Sequence, residues 1–246
     1  MHTFQQRTIS ELVTDNAFFA QALHYLGIEY ADYETVTIEK LSAIKGIDIA
    51  TLEKNFLDSS KYLDLEQPKL AGQPLSLVIE YLRHAHHLFI KYKLPYMGTL
   101  VKQISASVQE GPIADLSFVF PLFAEDFIKH IYHEEDTLFT YVLALEAAKD
   151  GKPEPLLKFG IKHDKISIAA LHNEHEGHDD EMASIRKLTS DYQYTDESLL
   201  GIKVLFQELK AFEKELRAHA AIENHILLPK ALELEKAVKE ALPSHA

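Results

Sequence analysis

Along the chain, apolar residues recur at three- and four-residue intervals rather than alternating, which is the period of a helix with one buried face. Four long helices are predicted, A over 75–108, B over 114–149, C over 161–188 and D over 196–241. They are divided by Gly111-Pro112, by Gly151-Lys-Pro-Glu-Pro155, and by a polar run from Ser190 to Glu197. Ahead of them, Thr8 to Phe56 reads as short helices punctuated by Gly27 and Gly46, with Thr37 and Asp48 as N-caps. The intervening stretch is polar and carries Pro68, Gly72 and Pro74, so 63–74 reads as a linker. The expected organisation is all-α: a small helical domain over 1–62, the linker, and an up-down-up-down four-helix bundle over 75–246.

Composition narrows the chemistry. The chain has 25 Lys and Arg against 38 Asp and Glu, a formal net charge of −13, which argues against nucleic acid or an anionic membrane as partner. There is no cysteine, which excludes disulfides, thiolate metal sites and cysteine nucleophiles and leaves nitrogen and oxygen to hold any metal. No signal-type segment and no long uncharged apolar window is evident, so a cytoplasmic protein is expected. The outlier is 14 histidines in a chain without tryptophan or cysteine, since histidine is the commonest metal ligand and the usual proton shuttle.

One histidine near the middle of each long helix gives nearly constant spacing: His87, His130, His175 and His219, with gaps of 43, 45 and 44. In a bundle with short loops, equal gaps bring mid-helix side chains to similar height. Two of the four carry a carboxylate four residues later, His130 with Glu134 and His219 with Glu223. Such a pair shares one helical face, so each can offer an imidazole and a carboxylate to one interior point. Imidazoles with two carboxylates are too nitrogen-rich for calcium or magnesium and too numerous for a single tetrahedral zinc. Two octahedral-type ions bridged by the glutamates fit better, with iron first and manganese or a mixed pair as alternatives. A bridging oxide would leave one open position per metal, sized for O2 or NO.

These residues resemble a known family. His130-x-x-x-Glu134-Glu-x-x-Leu-Phe139, Glu174-His175-Glu with Ile185-Arg-Lys-Leu-Thr189, and Leu216-x-x-His219-x-x-x-Glu223-Asn-x-x-Leu-x-Pro229 look like the hemerythrin-like cation-binding fold. Tyr81-Leu-Arg-His-Ala-His-His87 followed by Lys93-Leu-Pro95 is similar to the branch of di-iron proteins that repair iron–sulfur clusters. So is the N-terminal segment, through Ile9-Ser-Glu-Leu-Val-Thr-Asp-Asn16, Leu26-Gly-Ile-Glu-Tyr30, Thr37-Ile-Glu-Lys-Leu41 and Gly46-Ile-Asp48. The resemblance implies an oxo-bridged non-haem di-iron centre held by His87, His130, Glu134, His175, His219 and Glu223. On helix A, His84, His86 and His87 crowd one turn. His84 and His87 share a face, and the distance from His87 to Leu94-Pro95 fits the family, so His87 is taken, with His84 as second choice. Where family members commonly have adjacent cysteines, this chain has Ala31, Asp32, Tyr33 and Glu34.

The implied function is a stress-response protein of the iron–sulfur cluster repair type, binding NO or O2 or supplying iron, with iron–sulfur proteins as clients. Loss of the cysteine pair keeps a second reading open, an O2 or NO sensor without repair activity. A ferritin-like oxidase fits poorly, because such sites use Glu-x-x-His pairs. Whether the chain is an enzyme, and whether it is a monomer or homodimer, is left open by the sequence.

Overall fold

The computed structural model describes residues 3–60, 69–108, 110–162, 167–175 and 180–241, with 159–162 and 173–175 described by their backbone alone. The first part of the expected linker, 63–68, lies outside the described residues. Among the described residues there is no β-strand, and a lone bridge joins Thr8 to Thr37. No helix among them is long and apolar enough to cross a membrane. The fold is all-α, as the periodicity predicts.

Four short helices come first: α1 (Ile9–Asp15), α2 (Phe18–Tyr25), α3 (Ile38–Lys45) and α4 (Ile49–Ser59). Helix A is α5 (Leu75–Leu88) and α6 (Leu94–Ser105) joined by a π turn at Phe89–Lys93. Helix B is α7 (Pro112–Glu134) and α8 (Thr140–Lys149) joined by a π turn at Glu135–Phe139. Segment C contains α9 (Glu154–Lys162), α10 (Ile168–His175) and α11 (Ala183–Leu188), and helix D is α12 (Leu200–Ile222) and α13 (Leu228–Ala241) around a π turn at Glu223–Leu227.

Contacts group the described chain into two compact units, one holding residues up to 60 with 94–108, 110–120 and 184–213, the other holding 69–93, 121–162, 167–175, 180–183 and 214–241. In the first unit local sequence sets the helix starts. Thr8 and Glu11 form a reciprocal capping box at α1, Thr37 caps α3, and the Asp48 carboxylate accepts from the Thr51 amide at 2.9 Å to start α4. Gly46 closes α3 at φ +67, a left-handed position that favours glycine. Ile9, Leu12, Phe19, Leu23, Ile38, Leu41 and Leu52 are fully buried and form the apolar centre of these helices. The polar run expected between C and D holds Ser190, Asp191 and Tyr192 at φ 49, 59 and 61. There the Tyr192 hydroxyl donates to Glu213 at 2.5 Å, and Arg186 pairs with the same carboxylate.

The second unit is the bundle proper. Its core joins Val78, Ile79 and Leu82 of α5, Val142 and Leu145 of α8, Ile168 and Leu171 of α10, and Leu228, Ala231 and Leu234 of α13. The amides of Leu75 and Ser76, free at the start of α5, donate to the Glu146 carboxylate at 3.1 Å each.

The helix ends shift from expectation for local reasons. C begins at Glu154 instead of 161, because proline is compatible with a first helical turn and Pro155 falls there. It is interrupted rather than continuous, with a turn at 180–182 before α11. Two of the π turns precede a proline, Pro95 and Pro229. A proline there cannot donate to the carbonyl four residues back and crowds it, and a widened turn relieves the crowding.

Candidate metal centre

α5 turns one stripe inward: Val78, Ile79, Leu82 and His86, continued by Phe89 and Lys93. The spacing of three and four is that of a single helical face. His86 is 2% exposed, and its ring lies parallel to that of Phe139 with centroids 5.5 Å apart. Nε2 of His86 faces Nε2 of His219 at 2.9 Å and Oε2 of Glu134 at 3.4 Å. His219 in turn meets Oε1 of Glu223, one turn further along helix D, at 2.7 Å. One donor atom from each of His86, Glu134, His219 and Glu223 lies within 4.8 Å of all the others. Each contributing helix carries a π turn beside the group, starting three residues after His86, directly after Glu134, and at Glu223 itself. Such widened turns often mark functional sites.

The outer nitrogen of His86 is also fixed. Nδ1 pairs with Glu135 at 2.8 Å, and Arg83 stands 3.8 Å from the other oxygen of that carboxylate. With Nδ1–H donating outward to a carboxylate, the inner Nε2 carries the lone pair, the arrangement that orients a ligating imidazole. Burial lowers the pKa of His86, opposed by Glu135, and so favours the neutral ring that coordination needs.

Glu134 is 1% exposed, and its carboxyl is raised well above the usual carboxylate range, first by burial and next by the charge of Glu223. Among the described residues its Oε1 has no hydrogen-bond partner. Two carboxylates and two imidazole nitrogens converging in an apolar interior are costly without a cation. Donor atoms sharing one transition metal at bond lengths of about 2.1 Å stand roughly 3–4 Å apart, and the separations of 2.9 and 3.4 Å around Nε2 of His86 are close to that spacing. The donor set suits a borderline transition metal and is poor for copper(I).

Sequence reasoning places Glu134, His219 and Glu223 at the site, and the structure brings them together. The structure does not bring His87 into the group: it is exposed, its ring 6.0 Å from Tyr92, and His84 is exposed as well. One residue along a helix turns the side chain by about 100°, and it is His86 that continues the buried stripe. The stripe was the available signal, and the gap from His86 to His130, 44 residues, keeps the spacing even. His130 is half-buried and lies outside the group of four. Its Nε2 stands 3.8 Å from Oε1 of Glu181, in the turn before α11. The Glu181 carboxyl is pushed up to about 8 by burial and by the charge of Glu223. The His175 side chain lies outside the described residues, as do His163 and His178. His133 and His225 are exposed on helices B and D. Glu135, which meets His86, and Glu181, which stands near His130, are carboxylates that the sequence did not single out.

A helical bundle with an interior His/Glu group defines a bundle protein whose interior could hold a metal ion. Residues 77–231 match the hemerythrin HHE cation binding domain, and the chain belongs to that family. It is similar to the iron-sulfur cluster repair protein ScdA of Staphylococcus epidermidis, 24% identical over 229 residues that cover 90% of this chain and 96% of that protein. A probable iron-sulfur cluster repair protein of Haemophilus influenzae is 22% identical over 241 residues, covering 94% and 98%. The iron-sulfur cluster repair protein YtfE of Dickeya chrysanthemi is 23% identical over 200 residues, covering 80% and 83%.

Proposed function

We propose that this chain is a di-iron protein of the iron–sulfur cluster repair type. His86, His130, Glu134, His175, His219 and Glu223 are its ligands, and Glu134 and Glu223 are the bridging carboxylates. The observation that carries the reading is the buried convergence of His86, Glu134, His219 and Glu223 within 4.8 Å. End-to-end similarity to proteins named for cluster repair supplies the biological direction. When bound, the irons supply redox chemistry and coordination positions open to NO or O2, which suits a role under oxidative or nitrosative stress.

The protein's own contribution is placement. Glu135 fixes the ring of His86, Phe139 packs flat on it, and the apolar wall of α5 and α8 excludes water. A second reading, O2 or NO sensing without repair, is favoured by one observation: Ala31 to Glu34 hold no thiol.

The test is metal content per chain on protein purified without a metal-affinity tag, with optical spectra before and after reduction and NO exposure. About two irons per chain, with oxo-bridge absorption that responds to NO, would support the centre. No iron, or a single zinc, would refute it. Reactivation of an enzyme with a damaged cluster by the purified protein separates repair from sensing.

A further inference from the structure

Glu135 and Glu181 are both carboxylates beside a candidate ligand histidine, but they address opposite nitrogens. Glu135 takes Nδ1 of His86, whose Nε2 points inward at His219 and Glu134. Glu181 instead faces Nε2 of His130 at 3.8 Å, the nitrogen type that the His86–His219 pair turns toward the centre. That separation is too long for a hydrogen bond, and it is a usual spacing for two donors on one ion, roughly 3–4 Å at bonds near 2.1 Å. Glu181 is 19% exposed, and among the described residues no Lys or Arg pairs with it. It also lies within electrostatic reach of Glu223, the residue that meets His219.

The site therefore has two adjoining groups, His86 with His219 on one side and His130 with Glu181 on the other, with the bridging carboxylates of the di-iron reading, Glu134 and Glu223, between them. Resting on the di-iron reading above, we propose that Glu181 is a further carboxylate donor of the centre on its His130 side. The two metal positions are then unequal. The position served by His130 gains an oxygen donor from the chain itself, and the position served by His86 and His219 keeps its site for an exogenous ligand.

The test uses the full chain as wild type, Glu181→Gln and Glu181→Ala, loaded anaerobically with iron-57 Fe(II). Iron release to a competing chelator and Mössbauer spectra are recorded, with circular dichroism confirming helix content. The wild type is expected to show two distinct iron environments. In both variants one iron of the two should be held at least about tenfold more weakly, and the environment assigned to it should shift. Variants with wild-type chelator competition and unchanged spectra would overturn the proposal while leaving the di-iron reading intact. A wild type that binds no iron would overturn the underlying reading and this proposal with it.

Discussion

Nε2 of His86 and Nε2 of His219 stand 2.9 Å apart although 133 residues separate them in the chain. Two imidazole nitrogens at that distance can share one proton or one cation, and the carboxylates of Glu134 and Glu223 beside them add counter-charge that a cation would use. The pair links helix A to helix D, and His86 is the histidine of the crowded turn that lies within the group of four.

The first prediction follows from that choice. His86→Ala should lower metal affinity by more than the roughly 10–100-fold that loss of an outer partner costs. His87→Ala should bind as the wild type, because His87 is exposed and faces Tyr92. Chelator competition on both variants decides it, and equal losses in the two would remove His86 from its special place.

What the sequence revealed depended on how local the cause was. Thr37 and Asp48 were legible as caps because a cap is a contact over three residues. His219 with Glu223 was legible because i and i+4 share a face whatever surrounds the helix. The choice among His84, His86 and His87 was not settled by spacing between helices, which tolerates a residue either way. The buried stripe Val78, Leu82, His86 carries that information, and one step along it changes the face by about 100°. Glu181 was out of reach because it sits in a turn where the periodicity suggested unbroken helix. Its neighbour His130 is supplied by another helix, so no pattern along the chain announces the contact.

Glu135 supports the site without entering it. It holds Nδ1 of His86 at 2.8 Å and is itself near Arg83. Glu135→Ala should weaken metal binding by about 10–100-fold and destabilise the metal-free chain by about 1–3 kcal/mol, because it leaves the buried Nδ1–H of His86 without its acceptor. A titration with Fe(II), paired with a melting curve, reads both effects. Wild-type affinity in this variant would show that the ring of His86 is oriented by packing alone.

Packing makes its own contribution through Phe139, fully buried and parallel to the His86 ring. Phe139→Ala should destabilise the metal-free chain by about 3–5 kcal/mol and lower metal affinity as well, because the imidazole loses the wall that sets its plane. Phe139→Leu fills most of the space, so it should recover most of the stability and little of the ring alignment. Denaturant unfolding and metal titration on the two variants separate these parts. If Leu restored affinity fully, the stacked geometry would be irrelevant to the site.

Glu134→Gln should act in opposite directions with and without metal. In the metal-free chain the Glu134 carboxyl is held above its ordinary range by burial and by Glu223. The folded state therefore binds a proton more tightly than the unfolded state, and stability falls as pH rises above the ordinary carboxylate pKa of about 4.3. Glutamine does not titrate and keeps the shape, so the metal-free variant should be more stable than metal-free wild type at pH 7, by about 1–3 kcal/mol. That advantage should shrink as the pH falls toward 4. Adding Fe(II) should reverse the order, because the wild type gains about 2.7 kcal/mol at a free metal concentration one hundred times Kd, while a neutral amide is a poor substitute for an anionic carboxylate donor. Thermal melts of both proteins, with chelator and with Fe(II), at pH 7 and near pH 4.5, test all of this together. A metal-free variant less stable than wild type at pH 7 would mean that the Glu134 carboxyl is stabilising in its own right and that the interior was not built around a cation.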